Sequence, residues 1–150
     1  MRRFFEDLEP DESGKTGSYT VTEAEIIDFA ADYDPQPFHL DPDDPETEQH
    51  GGLIASGYHT LSIANKLLVD GHRGNVSSIA GLGIDELRWN RPVRPGDTLV
   101  VGYETIDYRN SESRPNAGVI KQRITVRNQN DEVVLTYIDA GLIKRRPAED

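Results

Sequence analysis

A chain of 150 residues has room for one hydrophobic core and little room for two, since a domain of this size buries roughly 70% of its extended surface. Its 27 acidic against 16 basic residues give a formal charge of −11, which excludes a broad nucleic-acid surface or docking on anionic membrane but leaves room for a small basic pocket. No cysteine is present, so a disulfide framework and a thiolate nucleophile are both excluded.

The opening MRRFFEDLEP lacks the apolar run of a signal peptide, and no segment reaches membrane-spanning length, so a soluble cytoplasmic protein is expected. The first eighteen residues are polar apart from Phe4, Phe5 and Leu8, which predicts a loose arm or short strand anchored by those side chains. A strand over Ser18 to Val21 is followed by TEAEIIDFAAD, in which Thr22 and Glu25 stand at capping-box spacing. Ile26, Phe29 and Ala30 share a face, so an amphipathic helix should run to about Tyr33. Pro35 ends it. Asp34 and Gln36 each precede a proline and avoid the helical region, so Asp34 to Phe38 should be extended or turned, and stiff.

An acidic loop, DPDDPETEQHGG, leads to LIASGYHTLSIANKLLVDGHRG, where Leu61, Ala64 and Leu68 form a stripe with Ile63 and Leu67 beside it. That run predicts a central helix beginning near Ala55 or Ser56 and stopping at Gly71. After Gly74 four segments rich in valine, isoleucine, threonine and tyrosine predict four long strands, separated by RPVRPGD, RNSESRPNA and QND. Ile120, Ile124 and Val126 alternate with Lys121, Arg123, Thr125 and Arg127, as in an antiparallel strand with one wet face, and QND is a tight hairpin. The expected class is α+β, with a curved sheet around one apolar helix.

His39 is the sharpest chemical candidate. Imidazole ordinarily titrates near pH ~6.5, and a nearby carboxylate can orient it or share its proton. Asp34 is the local partner, and two intervening prolines reduce the entropy lost in fixing the loop. The residues are also open to a plainer reading, with Asp34 capping or shaping a turn and His39 partly buried beside Phe38. GGLIASG, Gly51 to Gly57, supplies a helix start whose unpaired N–H groups can hold a developing oxyanion, with Gly57 admitting an acyl group to the backbone. Read plainly, it is a flexible approach and an N-cap.

The acidic run around His39 and His50 lacks the spacing of a calcium loop or a zinc helix, so no metal is expected there. His59 is expected to be satisfied within its helix, and His72 to favour that helix's C-terminal end. RWNRPVRPGD concentrates three arginines in an acidic protein. Arg91 and Arg94 either meet substrate phosphates or pair with surplus carboxylates, and Trp89 belongs to a core or an interface.

Taken together, Asp34, Gln36, Pro37, His39, Leu40, Asp41 and then Gly57 resemble the motif of the MaoC-like dehydratase family, known for (R)-specific enoyl-CoA hydration. GIDELRWNRPVRPGDTL, Gly83 to Leu99, is similar to that family's strand and turn, and the resemblance covers nearly the whole chain after Lys15. The chain departs from the pattern at Gln36, where asparagine is usual, and at Ser56, where histidine is frequent.

The resemblance implies a single hotdog domain over residues 1–150, an α+β fold with a long central helix wrapped by a curved antiparallel sheet. It implies a hydro-lyase interconverting 2-enoyl and 3-hydroxyacyl thioesters, with Asp34 and His39 catalytic and Gln36, Ser56, Gly57, Arg91 and Arg94 on the substrate. No cofactor is implied beyond the coenzyme A or phosphopantetheine carried by the substrate itself. A homodimer is implied, with no nucleic-acid or membrane partner. Thioesterase activity and noncatalytic acyl-thioester binding are the alternatives.

Overall fold

The computed structural model of the chain describes residues 2–148. A 3₁₀ turn at Phe5–Asp7 precedes β1 (Ser13–Thr20), then come α1 (Glu23–Tyr33), α2 (Pro37–Leu40), α3 (Pro45–Gln49) and α4 (Gly57–Gly71). The remainder is β2 (Ser78–Trp89), β3 (Thr98–Asn110), β4 (Ala117–Arg127) and β5 (Val133–Lys144). The pairings among these five strands are antiparallel, and the sheet order is β1-β3-β4-β5-β2.

Local chemistry accounts for the boundaries that matter to the site. The Thr22 hydroxyl accepts from the Glu25 N–H while the Glu25 carboxylate accepts from the Thr22 N–H, a reciprocal cap that satisfies two otherwise orphaned donors at the start of α1. Gln36 (φ −86°, ψ 144°) is extended and Asp34 (φ −154°, ψ 69°) leaves the helical region, as expected of residues before proline. Pro37 then opens a single helical turn, for which its fixed φ suits it, and that turn carries His39 inward. Ser56 caps α4, its Oγ accepting from the Tyr58 N–H.

Ile63, Ala64, Leu67 and Leu68 of α4 pack with Val21 and Ile26 against Leu99, Val101, Ile124, Val126, Leu135 and Tyr137 on one face of the sheet. Each such buried aliphatic side chain is worth ~1.5–3 kcal/mol. A second cluster, Phe5, Leu8, Val76, Ile120 and Ile143 with Tyr108, ties down the N-terminal segment through Phe5 and Leu8, two of the side chains expected to anchor it.

One expectation fails. The long central helix wrapped by a curved sheet is not what forms: α4 is fifteen residues, and the sheet is open, with β1 and β2 as its two edges. The reason lies in the helix's one-sided stripe. Tyr58, Ser62, Asn65, Lys66 and Val69 are exposed, so α4 needs cover from a single sheet face and α1, not from all round. β2 is exposed along almost its whole length.

Candidate active site

α1, α2 and the N-terminus of α4 converge on Asp34. Its Oδ1 accepts from Gln36 Nε2 at 2.8 Å, and its Oδ2 accepts from Ser56 Oγ at 2.7 Å. His39 Nε2 lies 3.4 Å from the same Oδ2, beyond the usual 2.7–3.2 Å of a direct N–H···O bond but within strong electrostatic reach. Burial alone would raise the Asp34 carboxyl. The donors Gln36 and Ser56 and the His39 ring outweigh that, so it is held below the ordinary carboxylate value and stays ionised.

The His39 ring is buried, 5% exposed, and its Nδ1 sits 2.7 Å from the carbonyl oxygen of Ile54. A carbonyl can only accept, so Nδ1 carries the hydrogen, and in the neutral ring Nε2 presents its lone pair on the Asp34 side. Asp34 and His39 thus offer two adjacent acceptors on one wall of a cavity of about 370 Å³. The lining also includes Gly57 and Tyr58, the apolar Ile54, Ala55 and Val93, and the more exposed Trp89 and Arg91. Among the described residues the Gly57 N–H, first in α4, has no hydrogen-bond acceptor.

The structure therefore brings Asp34, His39, Gly57 and Arg91 to one cavity and holds Gln36 and Ser56 behind Asp34, outside the lining. Arg91 pairs with Glu132 at 3.1 Å in an exposed position. Arg94 is elsewhere: its guanidinium donates to the His50 carbonyl and lies against Gly51 and Gly52. Glycine is needed at those two positions, with φ of +77° and +126°.

The acidic run is spent on local turns, Asp41 Oδ1 accepting from the Asp43 N–H and Asp44 Oδ1 from the Glu46 N–H. Among the described residues no three His, Cys, Asp or Glu side chains group to hold a metal ion. His59 stacks on Phe29 with its Nδ1 buried and unpartnered, so the expectation of a satisfied histidine is not met. The Ile54 carbonyl that fixes the His39 tautomer has no signature in sequence, being backbone.

With this geometry in view, comparison with known proteins decides the family. The MaoC like domain matches residues 7–128. The chain belongs to the MaoC-like dehydratase family. A MaoC-like dehydratase from Rhodospirillum rubrum is 37% identical, with 97% of this chain and 99% of that one superposed at a TM-score of 0.88. An (R)-hydratase from A. caviae involved in PHA biosynthesis is 26% identical over 93% of this chain and 98% of that one, at a TM-score of 0.71. Protein MaoC of Klebsiella aerogenes is 37% identical over 102 residues, 67% of this chain and 30% of that protein, so this MaoC-like chain spans under a third of that relative's length. The fold is accordingly an α+β fold related to those of hotdog-type dehydratases. No helix among the described residues of this family member is long and apolar enough to cross a membrane.

Proposed function

We propose that this MaoC-like protein is a hydro-lyase that interconverts 2-enoyl and 3-hydroxyacyl thioesters. The observation that carries the reading is the pairing of an ionised Asp34 with a His39 whose Nδ1–H is committed to Ile54, both facing a cavity that also receives an unpaired helix N–H. A water between the two acceptors is oriented by both. His39 Nε2 takes one proton, Asp34 accepts a hydrogen bond from the O–H that remains and stabilises the imidazolium, and the hydroxide oxygen forms its bond to C3.

Electron density shifts from the C2–C3 double bond onto the thioester oxygen, where the Gly57 N–H and the start of α4 favour negative charge. Collapse of that enolate takes the proton back from His39 at C2, completing addition of one water. Gln36 and Ser56 keep Asp34 ionised and aimed. The presence of Arg91 in the same lining supports contact with a phosphate of coenzyme A or phosphopantetheine. The exposed apolar residues of edge strand β2, Ile79, Leu82 and Ile84, favour a homodimer in which two such edges meet.

The test is a mass-spectrometric screen of enoyl and 3-hydroxyacyl thioesters. A gain or loss of water with the thioester intact is expected. Free thiol without hydroxyacyl product would assign a thioesterase instead, and binding without any turnover would assign an acyl-thioester-binding protein.

A further inference from the structure

The space over Gly57 is not empty. A Cβ built on that residue would lie 2.4 Å from both Nε1 and Cε2 of Trp89, so the indole ring rests directly on the first residue of α4 and only glycine fits beneath it. Trp89 also meets Tyr58 edge-on, with ring centroids 5.6 Å apart, and remains 47% exposed. It lines the same cavity as Asp34 and His39.

A backbone irregularity puts it there. Asp85 pairs with Ile138 and Arg88 with Thr136, so β2 spends three residues where β5 spends two. The irregularity contains Glu86 at φ +53°, an uncommon conformation for a residue with a side chain. Directly paired residues share a sheet face, and Trp89 pairs with the buried Leu135, so Trp89 faces α4. Without the extra residue Arg88 would take that register position, and a charged side chain would stand over the helix start.

We infer that Trp89 sets the size of acyl group admitted beside the Asp34–His39 pair, restricting the cavity to short acyl thioesters. The inference rests on the hydro-lyase reading for its substrate class, but its geometry does not depend on that reading. A thioester whose oxygen meets the Gly57 N–H must place its acyl carbons beside the indole, since the ring leaves no room beneath it. The cavity, at about 370 Å³, stands near the small end of the ~300–1,000 Å³ typical of ligand sites. Removing the ring would extend it over the α4 N-terminus.

Two measurements test this. In steady-state kinetics, Trp89→Ala should raise kcat/KM for 2-octenoyl-CoA relative to crotonyl-CoA by ~10-fold or more, with Trp89→Phe between it and wild type. A role in packing alone would lower both substrates together and leave the ratio unchanged, which would overturn the inference. Because Trp89 is the chain's one tryptophan, intrinsic emission of the wild-type protein reports on it directly. Titration with butyryl-CoA, which cannot be hydrated, should shift that emission, whereas free coenzyme A should not reproduce the shift. Identical responses to the two would also overturn it.

If no thioester is turned over but butyryl-CoA alone shifts the emission, the hydro-lyase reading falls and the placement of Trp89 stands. If turnover is found with an unchanged substrate ratio and no acyl-dependent shift, the reverse holds.

Discussion

The two ends of α4 carry the same pair of groups and differ in what surrounds them. At the N-terminus His39 lies 3.4 Å from Asp34; past the C-terminus His72 lies 3.5 Å from Glu12, beside a larger cavity of about 460 Å³. The Asp34 carboxylate is held by neutral donors, so its charge remains available to the cavity. Glu12 is neutralised by Arg3 at 2.5 Å, His72 is stacked flat on Tyr103, and the neighbouring Arg73 is forked onto Asp139 and bonded to Gln122. One end of the helix offers N–H groups to a developing negative charge, while the other offers carbonyls. A histidine–carboxylate distance is therefore not in itself a site; the uncommitted charge and the polarity of the adjacent backbone make the difference.

The strongest way to break this comparison is to remove each pair in turn. Asp34→Asn and His39→Ala should each cost about 10²- to 10⁴-fold in turnover of an enoyl thioester while circular dichroism stays unchanged. His72→Gln should leave turnover within a few-fold of wild type. Equal losses at the two ends would erase the distinction.

A smaller effect is expected behind the carboxylate. Ser56→Ala removes a donor that lowers the Asp34 carboxyl, so Asp34 should gain its proton at higher pH and the acid limb of the pH–rate profile should move upward. The same change removes the α4 cap and should cost ~0.5–2 kcal/mol in denaturant unfolding. An unmoved acid limb with the expected loss of stability would confine Ser56 to capping.

pH separates the buried histidines from Asp34. Burial first, and for His72 the nearby Arg73 and Arg3 against the opposing pull of Glu12, hold His59 and His72 below the ordinary imidazole value. Such groups bind fewer protons folded than unfolded, so their stability contribution is complete above pH ~6.5 and is lost as the pH falls from there through their folded values. Asp34, also depressed, has its contribution above the carboxylate's ordinary ~3.9 and loses it only below that. Tm should thus begin to decline in mildly acidic buffer, and the double change His59→Gln/His72→Gln should flatten that first decline without touching the one at lower pH.

The smallest effect belongs to the arginine of the lining. Arg91→Ala breaks an exposed pair worth ~0–1 kcal/mol and should raise KM for a coenzyme A thioester more than it lowers kcat. A short phosphate-free thioester should be indifferent to it; equal loss with both would remove phosphate contact from Arg91.

Much of this was legible before any coordinates. Thr22 and Glu25 announced their helix because a capping box is satisfied within one turn, and the two prolines after Asp34 restricted their neighbours whatever the rest of the chain did. The strands were readable because alternation and turn residues are local signals. For Gln36 and Ser56, sequence records that they flank the pair, and not that both donate to the Asp34 carboxylate. Arg94 carried no sign that the His50 carbonyl would claim it. The wrapped helix was misjudged because a broad apolar stripe does not say how many sides find cover.

By itself, the amino-acid order determined the antiparallel strands, the capped helices and the stiff link that keeps an acid five residues from an imidazole, since these depend on propensities and hydrogen bonds within a few residues. Tertiary structure alone decided that Ile54 sets the imidazole's tautomer, that Ser56 and Gln36 hold the acid ionised, and that an extra residue in β2 lays Trp89 over Gly57. Those outcomes depend on distances between segments far apart in the chain, and such distances are set only when the core closes and each buried polar group must find its partner.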